Sequence, residues 1–372
     1  MDHKTFANIS RIIERDSKST TYKLALLRGT IDIINENSPF IKTNEGRAHI
    51  PLGLLIEKWL LYYYPIVESE TIIPQINGST DMAFGKNLKA LTNAYKGNGG
   101  LSAFYTNLIG SKFQKGEQPS LIMLTRQIAQ TIIKMPMRYI GKSVTGQEYG
   151  LYEYQPPKTK NNSTAFDLNY LIDSFGSFSI PIEYFDAFRV LGSFIGGQDS
   201  ILFKWAEFSV QASGKNLSIP QVLGEVLKSP ITDREVSASK AFYKSLLESR
   251  STVYCVWSGK KLTRYDIDHI IPFTVWKNND LWNLLPVLPS LNNQKRDKIP
   301  SVDLIENQQS LIKEYWSMLN QAKPNRFQTE LRVALSGDSD DTDWQGHAIT
   351  QLQNSCDYLI NTRGFDEWMP AV

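Results

Sequence analysis

Two polar clusters interrupt an otherwise apolar stretch between Tyr265 and Ser301. Asp266, Asp268 and His269 lie in YDIDHIIPF; Asn292, Asn293, Lys295, Arg296 and Asp297 lie in LNNQKRDK. These residue types suit metal-assisted cleavage of a phosphodiester. That chemistry needs oxygen ligands for a hard divalent cation, a base for the attacking water, and positive charge near the phosphate oxygens. Asp268 and Asn292 offer the carboxylate and amide oxygens that Mg²⁺ takes. His269 adjoins Asp268, and an imidazole neutral near pH 7 is a suitable base. Lys295 follows Asn292 by three positions, so a helix there places both on one face. One short helix would then present a metal ligand and a phosphate contact together.

The full run, DIDHIIP, WNLL and NNQKRDKIPS, resembles the HNH endonuclease signature of the ββα-metal fold. The resemblance implies Asp268 and Asn292 as metal ligands, His269 as general base and Lys295 as the nearby basic residue. It implies Asn283 as the brace between the two halves and Asp266 as an acidic supporting position. The region is similar to the HNH domain of RNA-guided CRISPR effectors, where a proline-serine cap also precedes a helix carrying a Tyr-Trp pair, here Tyr315-Trp316. The implied cofactor is Mg²⁺, with Mn²⁺ as a substitute. Many HNH domains also hold a structural zinc between two Cys-x-x-Cys knuckles. Here Cys255-Val256-Trp257-Ser258 keeps one thiol and LPSLNN has none, so no structural zinc is expected. Trp257, Ile270, Leu284 and Leu285 must then hold the motif by packing.

These residues need elements to position them. STVYCVW reads as a strand, GKKLTR as a turn, and YDIDHIIPF as a second strand ended by Pro272. LWNLLPVL continues the sheet or lies against it. A short helix is expected from near Asn292, ending before Pro300. Ser301 then caps a long helix through VDLIENQQSLIKEYWSMLNQ. Upstream, STTYKLALLRGTIDIINEN, PLGLLIEKWLLYYY and PSLIMLTRQIAQTIIK carry helical spacing. GLYEYQPP reads as a short strand and a loop, and two helices are expected around a Gly196-Gly197 turn. The expected fold is mainly α with a small α+β domain: a helical domain over 1–240, a ββα-metal HNH nuclease over 241–325, and an acidic C-terminal cap over 326–372.

Composition sets outer limits. Net charge is only +2, with 41% hydrophobic and 21% charged residues, as in a globular protein. Charge is unevenly spread. Arg250 to Pro300 holds eight Lys and Arg against four Asp, a net +4, whereas Gly337 to Val372 carries −6. Lys260, Lys261 and Arg264 on the turn, with Arg296 and Lys298, are the expected DNA-backbone contacts, which position a substrate without reading its sequence. The most apolar stretch, from Ile50, carries Glu57 and Lys58 at its centre, so a buried helix is expected there rather than a membrane span. Two cysteines make no disulfide framework, and the N-terminal residues lack an apolar signal core. A cytoplasmic chain is expected. A helical domain joined to an HNH module resembles bacterial restriction and anti-phage effectors, which implies DNA and other defence-system proteins as partners. The alternatives are an inactive HNH-like module that binds DNA or a partner complex, and a homing or mobile-element endonuclease.

Overall fold

The computed structural model describes residues 3–16, 18–79, 81–158, 165–192, 195–249, 251–338 and 342–370. Helix accounts for 58% of the chain and the strands are short, so the protein is mainly α, as the pattern of the sequence implies. The chain divides into two compact units, residues 1–36 with 40–230, and residues 37–39 with 231–372.

The first unit begins with helices α1 (His3–Arg15) and α2 (Tyr22–Asn35), strands β1 (Lys42–Asn44) and β2 (Arg47–Pro51), and helix α3 (Leu52–Glu68). Helices α4 (Gly85–Tyr95), α5 (Gly100–Ile109), α6 (Gln118–Lys134), α7 (Pro136–Tyr139) and α8 (Lys142–Thr145) follow. Strand β3 (Glu153–Gln155), helix α9 (Leu168–Ser174), strand β4 (Ser177–Pro181) and helices α10 (Ile182–Leu191), α11 (Ile195–Ala212) and α12 (Ile219–Val226) complete it. The strands form one antiparallel sheet in the order β1-β2-β4-β3.

Helix α3 is the axis of this unit, packing against α2, α4, α5, α6 and α9. It is apolar around most of its circumference because most of it is buried. Gly53 lets it approach α9: a Cβ there would sit 1.9 Å from the Leu171 carbonyl oxygen. Tyr62, Tyr63 and Tyr64 are all in the core, with Tyr63 packed against Trp59, Phe84 and Trp205. Burial removes them as base-stacking candidates. Lys58 pairs with Glu36 at 2.6 Å. Among the described residues no helix is long and apolar enough to cross a membrane. The expected Gly196-Gly197 turn lies instead within the first turn of α11.

The second unit runs through helix α13 (Ser237–Glu248), strands β5 (Asp266–His269) and β6 (Leu284–Val287), helix α14 (Pro289–Lys295), strand β7 (Ile299–Pro300), helices α15 (Val302–Ala322), α16 (Pro324–Leu331) and α17 (Trp344–Asp357), and strand β8 (Glu367–Trp368). β5 and β6 pair antiparallel and α14 follows, giving a ββα order. The expected strand through Cys255 is reduced to one antiparallel bridge, Tyr254 with Lys261, closed by a tight turn. Cys255 N donates to Lys260 O, Gly259 N to Cys255 O and Leu262 N to Val253 O, each at 2.8 Å. Helix α14 starts at Pro289, three residues before Asn292, because a proline in the first turn loses no helical hydrogen bond. Ser301 accepts from Leu304 N at 3.1 Å and caps α15.

Residues 326–372, set apart by their acidity in the sequence, share one core with the ββα elements. Ala348, Ile349, Leu352, Cys356, Leu359 and Trp368 are buried in it beside Trp257, Trp282 and Trp316. Asp338, Asp343, Asp357, Asp366 and Glu367 are exposed between these apolar positions, so charge and core coexist in the same segment. Asp340 and Asp341 lie outside the described residues.

Candidate active site

Strand β5 carries Asp266, Asp268 and His269, and burial increases along it toward the histidine. Asp268 is 3% exposed. Its Oδ2 accepts from Trp257 Nε1 at 2.7 Å, and its Oδ1 accepts from Lys295 Nζ at 3.1 Å. The Lys295 ammonium also donates to the His269 carbonyl at 2.6 Å and is fully buried. Burial lowers the Lys295 pKa, with the Asp268 carboxylate opposing the shift. The sequence pattern placed Lys295 at the phosphate; in the structure its charge is spent on Asp268. Asn292, on the same helix, donates from Nδ2 to Asp266 Oδ2 at 3.2 Å.

Asn283 joins the two halves. Its Nδ2 donates to the Ile271 carbonyl at 3.0 Å, and its Oδ1 accepts from Ile271 N at 2.8 Å. The Asn283 carbonyl accepts from Ile270 N at 2.8 Å. A side-chain amide thus copies a backbone ladder at Ile271, two residues beyond the end of β5. Both Asn283 and Ile271 are fully buried, so nothing else there would satisfy those groups.

His269 is 1% exposed. Its Nδ1 accepts from Arg234 Nε at 3.1 Å, and its Nε2 lies 3.2 Å from Asn279 Oδ1. Asn279 Oδ1 also accepts from Glu235 N, while its Nδ2 donates to the Asp233 carbonyl. The amide oxygen only accepts, so the proton of the neutral imidazole is on Nε2 and the lone pair is on Nδ1. Burial pushes the imidazole pKa down to about 4, which keeps it neutral at pH 7.

Neither Arg234 nor Asn279 stood out in the sequence. Arg234 is 35 residues upstream in a segment with no periodic pattern, and only the folded return of the chain brings it to His269. A second unheralded group braces the loop before Asn283. Glu330 of α16 accepts from Leu281 N at 2.7 Å and from Arg326 Nε at 2.5 Å. Asp280 accepts from Asn278 Nδ2 and Trp282 Nε1. Burial raises both carboxyls, Asp280 to about 6 and Glu330 to about 8. Of the basic residues expected at DNA, Lys260, Lys261, Arg264 and Arg296 are exposed and Lys298 is half-buried.

Comparison with known proteins places these features. The family model for a domain of unknown function (DUF8808) matches residues 2–226, more than half of the chain. The chain belongs to that family. A second family model, HNH endonuclease, matches residues 255–301 of this DUF8808 member, the interval that holds the buried Asp268, His269 and Asn283. The CRISPR-associated endonuclease Cas9 of Streptococcus mutans serotype c is 30% identical over 143 residues, 36% of this chain and 10% of that protein. The chain therefore spans about a tenth of that relative's length. No solved structure matches. The second unit carries an HNH nuclease domain similar to the one in Cas9, attached to a helical unit of the DUF8808 type.

Proposed function

We propose that the protein is a divalent-metal-dependent endonuclease that hydrolyses DNA phosphodiesters, one strand per site, and serves as an effector against phage or other foreign DNA. The observation that carries the reading is the convergence of a neutral histidine, a carboxylate and a bracing asparagine at the ends of two paired strands.

The donor chemistry fits a hard cation. A carboxylate has about four lone-pair sites, and Trp257 and Lys295 use one on each oxygen of Asp268. The Asn292 bond to Asp266 runs through Nδ2, which leaves the amide oxygen for a ligand role. Asp268 and Asn292 would hold Mg²⁺ or Mn²⁺ with water completing the shell. When bound, the ion supplies positive charge at the phosphate and the leaving 3′ oxygen. Asn279 fixes the imidazole tautomer, so the lone pair of His269 Nδ1 is the site that takes a proton from water. Lys295 holds Asp268 in place by charge and the His269 carbonyl by hydrogen bonding. Lys260, Lys261, Arg264, Arg296 and Lys298 would contact the DNA backbone around the site.

The test is nicking of supercoiled plasmid with Mg²⁺ or Mn²⁺. General-base catalysis contributes ~10²–10⁴-fold, so His269→Ala should slow nicking by about that factor while the fold survives. Asp268→Ala should remove the metal dependence together with the rate. Near-full activity of His269→Ala would overturn the assignment. A second reading, an HNH-like module that binds without cutting, draws on the near-complete burial of His269 and on the guanidinium at its lone pair. Wild-type protein that binds plasmid and leaves it supercoiled with either metal would favour it.

A further inference from the structure

The segment Asp233–Glu235 lies across the imidazole like a clasp. Asn279 holds its backbone on both sides of Arg234, through the Asp233 carbonyl at 3.0 Å and Glu235 N at 3.1 Å. The same Asn279 oxygen faces His269 Nε2. Between these two anchors the Arg234 side chain reaches down, donating from Nε to His269 Nδ1 at 3.1 Å and from Nη2 to the Ile267 carbonyl at 3.2 Å. The base therefore has its one lone pair filled by an N–H. In that arrangement it has nothing with which to receive a proton from water.

The capping group is a guanidinium with five N–H donors, of which these two bonds use two. Arg234 is exposed, whereas the imidazole beneath it is sealed. Among the described residues its remaining N–H groups make no further hydrogen bond that would hold it in place. A guanidinium exchanges two bonds to neutral acceptors for a stronger bidentate pair when an oxyanion with two free oxygens arrives. A phosphodiester is such an oxyanion.

We propose that Arg234 is a substrate-operated cap: it stoppers Nδ1 of His269 in the free protein and swings to a backbone phosphate of bound DNA, uncovering the base. The ligand class rests on the nuclease reading. The exchange places the phosphate contact and the release of the base in one side chain, so the base is uncovered only when a phosphodiester is beside it.

Two measurements on the full chain in EDTA, where no cutting occurs, test this. The first is the salt dependence of binding to a short DNA duplex by fluorescence anisotropy. Arg234→Ala should reduce the magnitude of the log–log slope by about 0.9, the loss of one phosphate contact, and Arg234→Lys should restore it. The second is carbethoxylation of His269 by diethyl pyrocarbonate at neutral pH without DNA, read by peptide mass spectrometry. Arg234→Ala should raise its rate several-fold over wild type, with His3 and His347 as internal references. An unchanged salt slope, a slope that Arg234→Lys does not restore, or unchanged His269 reactivity overturns the proposal. A urea midpoint for Arg234→Ala within error of wild type shows that the fold survives; a collapsed midpoint makes Arg234 a structural residue and overturns the cap. Absence of wild-type nicking with both expected results intact would fell the nuclease reading and leave the cap standing.

Discussion

Replacing Lys295 with methionine tests the electrostatics of the site most directly. The side chains of Lys295 and Asp268 are 0% and 4% exposed, so their 3.1 Å pair is a buried one. An exposed pair would be worth ~0–1 kcal/mol. Removing one partner of a buried pair costs ~3–5 kcal/mol, because the other charge stays behind uncompensated. Methionine keeps most of the volume, so little of the loss comes from packing. The His269 carbonyl also loses its 2.6 Å donor, adding about 1 kcal/mol. The expected destabilisation is about 4–6 kcal/mol. Tryptophan fluorescence in a urea titration reads it selectively, since Trp257, Trp276, Trp282, Trp316, Trp344 and Trp368 are in the second unit and only Trp59 and Trp205 in the first. The double variant Asp268→Asn, Lys295→Met should recover part of the loss, because the stranded charge is gone. Mg²⁺ should also raise the midpoint of the single variant more than that of wild type, since a cation at Asp268 takes over the missing charge. A single-variant cost below about 1 kcal/mol would refute the reasoning and free the Lys295 ammonium for the phosphate, where the sequence pattern had it.

Three further outcomes follow from the same geometry. Asn283→Ala strands the buried Ile271 N–H and carbonyl, at ~1–3 kcal/mol each, and should lower the urea midpoint and nicking together; a variant of wild-type stability would mean the brace is dispensable. His269, with its folded pKa about 4 against an ordinary 6.5, binds its proton more readily when unfolded. Stability of the second unit should therefore fall by about 3 kcal/mol as pH drops from 6.5 to 4, a loss that His269→Gln should flatten in a pH series of urea midpoints. The raised carboxyls have the opposite sign: Glu330 and Asp280 hold protons in the fold that the unfolded chain has released. Their contribution is complete below pH ~4 and fades as pH rises toward about 8. Glu330→Gln should remove that alkaline decline, and a decline that persists would place its origin elsewhere.

The sequence exposed the site where residue type and spacing carry the information locally. Asp268 and His269 are neighbours on a strand, Asn292 and Lys295 lie one helical turn apart, and Ser301 announces its helix through a cap that needs only the next few residues. The direction of Lys295 was not legible, because spacing fixes a helical face but not which partner on that face wins. Burial decided it, since an ammonium taken out of water must meet a carboxylate. Arg234 and Asn279 were hidden for another reason: their bonds to His269 depend on tertiary return of irregular chain. The N-terminal helices were legible by period. The fate of residues 326–372 was obscured by charge, which says where a helix faces water but not what its other side covers.

Strand β8 pairs parallel with β7, with Ile299 N donating to the Asp366 carbonyl and Ser301 N to the Trp368 carbonyl. Trp368 lies edge-on to Trp257 at 5.8 Å between centroids, and Trp257 donates to Asp268. A chain emerging from the ribosome therefore has every residue of the motif outside long before the wall behind its carboxylate exists. Trp368 backs Trp257, and Trp257 together with Lys295 fixes the orientation of Asp268. A chain shortened before that strand should keep every residue of the motif and lose the packing behind Trp257.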